Sequence, residues 1–404
     1  MGAVSVEGVH ALVRRTHEER VLRVLREHGA LSRGQIAAKV GLSRTTLSEI
    51  AGDLLSRGAV VVIDTDAGLR AGSGRPAELL TLDPSSGRFL GVDLGRRRVR
   101  VAVADAAHEV IATGHAAYGP GTGWPERVAV AFDLIDDVGA RSGISFRALQ
   151  GVGVGVAGPR PVEPAVAEAF RERFGAPVIA DGSTRFAALA EAVTDVPELH
   201  DVLYIRLADG IDGGLVVGGR LVTGGHGVAG EFGHVPAVLP VGGPAGGPVG
   251  GRGEPVGGPV GGPDPCRCGR RGCLETVASV PAVLRTCRRR GLAVRTADDL
   301  EAALRRGDPV AAAVLDEAAV AVGQVLAAAA LVLDPARIVV GGRLTRCWPG
   351  VVDRIAATVA ERAGARVAGG GDRVVRAARL GDEDGALGAI AVLYRQAPLL
   401  AGYH

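Results

Sequence analysis

The chain has 404 residues, more than one hydrophobic core usually organises, so two or three domains are expected. Hydrophobic residues make up 47% of it, ample for sizeable cores, while aromatics at 3% leave little for base-stacking platforms. A net charge of +2 does not announce a nucleic-acid binder, and the stretch Val320–Leu333 is too short to span a bilayer. With no basic, apolar and cleavable leader at the start, a cytoplasmic protein without a membrane partner is expected.

In chain order, residues 17–28 (HEERVLRVLREH) put Val21, Leu22, Val24, Leu25 and His28 on one helical stripe, and Gly29 supplies a stop. Ser32 is placed to cap a helix carrying Ile36, Ala37 and Val40. Gly41 gives a tight turn, and Ser43 caps a second helix with Leu47, Ile50, Ala51, Leu54 and Leu55 on its apolar side. This is a helix-turn-helix pattern, whose second helix enters the major groove with its first residues at base edges. Those residues are Ser43, Arg44, Thr45, Thr46 and Ser48, hydrogen bonders without exception. Residues 60–82 then read as two strands around a glycine-rich basic tip, a wing whose Arg70 and Arg75 can reach phosphates or the minor groove. A small helical bundle used only for dimerisation is the alternative; the turn chemistry, polar face and basic tip agree better with DNA binding.

Residues 83–238 alternate Val/Gly-rich strands with Ala-rich helices, as a parallel α/β fold does. Residues 239–263 are a Pro/Gly repeat with almost nothing to bury, read as a disordered loop. Beyond it the chain turns helical, with another strand-and-glycine unit at Ala336–Gly342. Three of the five cysteines, Cys266, Cys268 and Cys273, crowd into eight positions, and in a cytosolic chain that favours a metal over disulfides.

Four segments carry a family resemblance: GVDLG at 91–95, GVGVGVAGP at 151–159, the glycine-rich run 207–235 ending in GEFGHV, and CRCGRRGCLE at 266–275. In this order and spacing the chain resembles the ROK family of repressors, open reading frames and kinases, and the winged helix in front points to its regulator branch. The resemblance implies a two-lobed sugar-kinase/actin-like (ribonuclease H-like) α/β body. The expected domains are a winged helix-turn-helix at 1–82, a first lobe at 83–200 and a second at 201–404. It further implies a structural Zn2+ held by His234, Cys266, Cys268 and Cys273, and a sugar pocket read by Glu231, His234 and Glu275.

Against the family's kinases, however, the phosphotransfer residues depart. Aligned on Ala187–Glu191, the catalytic aspartate falls on Ser183 and the preceding asparagine on Gly182, and a serine has no basic pKa with which to deprotonate a sugar hydroxyl. Asp181 lies two residues away, some 6 Å along a strand end. Arg96, Arg97 and Arg98 follow GVDLG, Arg343 enters the third loop, and Asp209 and Asp212 would stand beside a bound triphosphate. Only Ala165–Ala169 fill the place of a longer stretch over the sugar. The reading is a DNA-binding repressor, a homodimer or dimer of dimers on operator DNA, controlled by a sugar or sugar phosphate and not an enzyme. A ligand-blind regulator and an active sugar kinase are the alternatives.

Overall fold

The computed structural model describes residues 17–18, 20–22, 24–25, 28–56, 59–65, 78–83, 87–105, 109–119, 121–146, 149–158, 164–193, 201–237, 264–363, 374–381 and 384–396. Arg70, Arg75 and the Pro/Gly repeat 239–263 lie outside them.

The first domain forms as its local signals dictate. The described residues between 17 and 28 are helical, with Val21, Leu22 and Leu25 buried. The short strand β1 (Leu31–Ser32) leads into α1 (Arg33–Val40), whose cap is a reciprocal box: Ser32 accepts from the Gln35 N–H while the Gln35 side chain accepts from the Ser32 N–H. Gly41 ends α1 at φ +70°, a left-handed position that costs a side-chain residue energy, and turns the chain into α2 (Arg44–Ser56). Ile36, Leu47, Ile50 and Leu54 close on Leu80 from a three-stranded sheet of order β1, β3 (Glu78–Leu82), β2 (Val60–Thr65). Leu55, expected on the buried stripe, is only half-buried.

The body is built on two five-stranded sheets. In the first, β4 (Arg88–Leu94), β5 (Arg98–Asp105) and β6 (Val110–Ala117) are antiparallel, and β7 (Leu149–Val156) and β8 (Val178–Gly182) run parallel to β4. Helices α3 (Trp124–Ser142) and α4 (Pro164–Phe174) cover one face with Ile135 and Phe170. The connection Ala165–Ala169 is thus the first half of α4. Helix α5 (Ser183–Val193) leaves β8 directly, and ten of its eleven residues, charged ones included, are buried.

The second sheet has the order β11 (Arg220–Leu221), β10 (Ile211–Val217), β9 (Val202–Leu207), β12 (Arg337–Gly341), β13 (Val374–Ala377). Its outer layer includes α6 (Pro309–Leu333) and α7 (Gly350–Ala363). Here the expectation from residues 320–333 needs correction. The helix begins at Pro309, capped by Asp308, and its 25 residues are long and apolar enough to cross a membrane. Yet 67% of its most apolar stretch is buried inside the body, against Ile355 and Val359 among others. It is mostly a core helix, with Leu331, Val332 and Leu333 exposed at its end. The last helix, α8 (Asp384–Gln396), lies against α5 and against β4 and β7. A Cβ on Gly388 would overlap the Phe186 carbonyl, so the two backbones meet directly at the junction of the lobes.

Candidate functional site

On the first domain, the turn Gly41–Ser43 presents the start of α2 to solvent. The Ser43 hydroxyl accepts from the Thr46 N–H at 3.1 Å and shares a hydrogen bond with the Thr46 hydroxyl at 2.8 Å. Thr46 is therefore committed to the cap and half-buried, while Ser43, Arg44, Thr45 and Ser48 are exposed. Arg20 donates to the Val40 carbonyl at 2.7 Å and so anchors the first helix to the turn. The exposed set is an array of donors and acceptors on a rigid helix, which is what base-edge readout requires.

In the body, CRCGRRGCLE folds into a tight knot. The Cys266 N–H donates to the Arg270 carbonyl at 2.7 Å, Gly269 turns at φ +85°, and Pro236 bridges to Cys273. The knot brings Cys266, Cys268, Cys273 and His234 together, with all four ligand atoms within 4.8 Å of one another. Cys268 and Cys273 sulfurs are 3.6 Å apart, and Cys266 Sγ is 3.3 Å from His234 Nδ1. A tetrahedral zinc with Zn–S near 2.3 Å has edges of about 3.8 Å, so the donor set fits that ion by number, type and spacing. The backbone N–H and guanidinium of Arg270 hold the Cys268 thiol down to about 6, whereas burial pushes Cys273 up to about 12. With Nδ1 facing the sulfurs, His234 Nε2 is 3.6 Å from Glu231 Oε2. The knot therefore orients the His234 ring toward Glu231.

Glu275, expected beside the sugar, lies at the start of the helix that follows the knot. Its Oε2 accepts from the Ile211 N–H at 3.0 Å, and its Oε1 is paired with Arg267 Nε at 2.9 Å. Each oxygen thus has one protein donor and keeps further acceptor capacity. Arg267 sits between two of the knot's cysteines and also reaches Asp212 Oδ1 at 3.4 Å.

Asp209, too, is paired: Arg97 Nε meets its Oδ2 at 2.8 Å. Asp209 and Asp212 thus each lie beside an arginine, Arg267 being shared between Asp212 and Glu275. Arg343 of the third loop turns to Asp298. Ser183 is buried, and its hydroxyl donates to Asp93. Asp181 is held in place, its Oδ1 accepting from Arg185 at 2.8 Å and from the Gly182 N–H at 2.6 Å.

Arg185 was not foreseen as a functional residue. Its side chain is only 2% exposed; besides pairing with Asp181 it donates to the carbonyls of Thr223, Gly227 and Ala229. It thereby pins the glycine-rich loop that ends at Glu231 and His234. The available signal was a lone charge in an otherwise apolar helical run, FAALA. At the lobe junction, Asp384 is buried and accepts from Tyr204 at 2.5 Å and Arg206 at 2.6 Å, and burial raises its pKa.

Comparison with known proteins agrees with this architecture. Residues 14–61 match a winged helix-turn-helix DNA-binding family, and residues 89–396 match the ROK family. The chain is 25% identical over 363 residues to the DNA-binding transcriptional dual regulator NagC of Escherichia coli K12, covering 83% of this chain and 82% of that one. It is also 25% identical over 292 residues to the xylose repressor of Caldicellulosiruptor bescii, covering 69% and 67%. The crystal structure of a ROK family transcriptional regulator, a homologue of the E. coli MLC protein, superposes with a TM-score of 0.75 at 20% identity over 97% of this chain and 99% of that one, so the two share a fold. The ROK match spans both sheets, the knot and α8, and on that ground the chain belongs to the ROK family.

Proposed function

We propose that this chain is a DNA-binding transcription repressor whose ROK body responds to a sugar or sugar-derived ligand and carries out no phosphoryl transfer. The observation that carries the reading is the exposed hydrogen-bonding face at the start of α2, joined in one chain to a body whose base position is a buried serine bonded to Asp93. Ser43, Arg44, Thr45 and Ser48 meet base edges, with Arg70 and Arg75 assigned to phosphate or minor groove. Residues 1–82, 83–200 and 201–404 act as DNA-binding domain, first lobe and second lobe. Zinc on His234, Cys266, Cys268 and Cys273 is structural, since a closed four-ligand site leaves no position for a substrate. Its binding free energy stabilises the knot and holds His234 toward the ligand. A homodimer presents two winged helices to a two-fold operator in the cytoplasm, and a ligand preferring one arrangement shifts operator affinity.

Selection from random duplex DNA by the full chain, with and without a panel of sugars and sugar phosphates, tests this. A two-fold repeated motif whose retention changes with one of them is expected; no enrichment would overturn DNA binding. Hexose-dependent ADP release that Ser183→Ala abolishes would overturn the loss of kinase chemistry. The ligand-blind reading draws support from the protein donors already on both oxygens of Glu275, and a thermal-shift screen separates the two.

A further inference from the structure

The helix that presents the base-reading residues carries one group the DNA reading has not used. Leu47, Ile50, Ala51 and Leu54 of α2 are buried. At 100° per residue the opposite line runs through Thr45, Glu49, Gly52 and Ser56, at i, i+4, i+7 and i+11, and all four are exposed. Glu49 stands at the middle of the face that points away from the core. Thr45 is one turn before it, Ser48 lies at its side, and Gly52 has no side chain to crowd it. No ion pair or hydrogen bond of the Glu49 carboxylate is found among the described residues.

A carboxylate on this line enters a groove walled by phosphates, where it is repelled from both strands. It is acceptor-only, so it gains nothing from the acceptors of guanine or thymine. The major groove offers it donors at two places, the N4 amino group of cytosine and the N6 amino group of adenine. Beside the adenine amino group lies the N7 acceptor, which faces the second carboxylate oxygen, whereas cytosine presents a carbon-bound hydrogen there. Resting on the DNA-binding reading above, we propose that Glu49 is a specificity-determining residue that selects cytosine at one position of the bound site. It does so partly by attraction to that amino group and partly by repulsion from every other base edge.

The test is selection by the full chain from a randomised duplex library, run in parallel for wild type, Glu49→Ala and Glu49→Gln. The wild type is expected to enrich a motif containing a C·G pair that Glu49→Ala flattens, with roughly tenfold lost discrimination at that position alone. Glu49→Ala is also expected to bind unrelated duplex more tightly, since a repelling charge is gone. Glu49→Gln is expected to move the preference at the same position toward adenine, because an amide can pair with N6 and N7 together. An identical motif from all three proteins would overturn the assignment and leave DNA binding intact, whereas no enrichment by the wild type would overturn both. Glu49 is exposed, so equal zinc content and melting temperature of the variants are expected to accompany these changes.

Discussion

Arg97, on the turn after β4, pairs with Asp209, on the turn after β9, at 2.8 Å, so two departures from the kinase pattern on different lobes neutralise each other. The contact ties the turn after the first strand of one sheet to a turn of the other. Arg97 is 64% exposed, and the pair is therefore open to solvent and salt. A double-mutant cycle with Arg97→Ala and Asp209→Ala, read by urea unfolding, is expected to give a coupling below about 1 kcal/mol that vanishes near 1 M salt. A coupling of several kcal/mol would mean the pair is far less solvated than its exposure indicates.

Ser183→Asp restores the residue type a kinase would need, but places a second carboxylate against buried Asp93. Two carboxylates in contact cannot both ionise freely. The variant is expected to show no hexose-dependent ADP release and a lower melting temperature at pH 7. Turnover without loss of stability would show that the altered loops still accept a nucleotide.

Replacing Arg185 by Met leaves Asp181 without its ion-pair partner and removes a donor from the carbonyls of Thr223, Gly227 and Ala229, of which that of Thr223 keeps the Ala229 N–H. Breaking a buried pair by removing one partner costs about 3–5 kcal/mol. Unfolding free energy should fall by an amount of that order, with Arg185→Lys intermediate, because an ammonium can keep Asp181 but cannot fork across the loop. A change below about 1 kcal/mol would show that water replaces the guanidinium.

For the knot, the sign of the Cys268 shift sets a pH test. Its thiol is held down to about 6, so in chelator-stripped protein it stays thiolate above that pH and is protonated below it. Alkylation of Cys268 at pH 7 should outpace that of Cys266 and Cys273, which burial pushes upward, and should slow as pH falls through about 6. Zinc should protect all three. Cys273→Ser should abolish stoichiometric zinc and lower the melting temperature, and unchanged zinc content would exclude Cys273 as a ligand.

The sequence by itself determined what rests on short-range geometry. The cap at Ser32, the turn at Gly41, the apolar stripe of α2 and the CxCGxxxC spacing each involve residues within about two helical turns, so their physics is local. The resemblance carried by four short motifs extended that to the body's fold. The tertiary structure alone decided the partners of the charged groups. Ser183 meets Asp93 across 90 positions, Arg97 crosses between lobes to Asp209, and Arg267 closes on Glu275. It also showed that the apolar run ending at Leu333 belongs to a 25-residue core helix. Periodicity ranks which face of an element is buried, but not what stands opposite it. A carboxylate reads the same in a sequence whether it faces a ligand or an arginine, and only the packing of distant segments distinguishes the two.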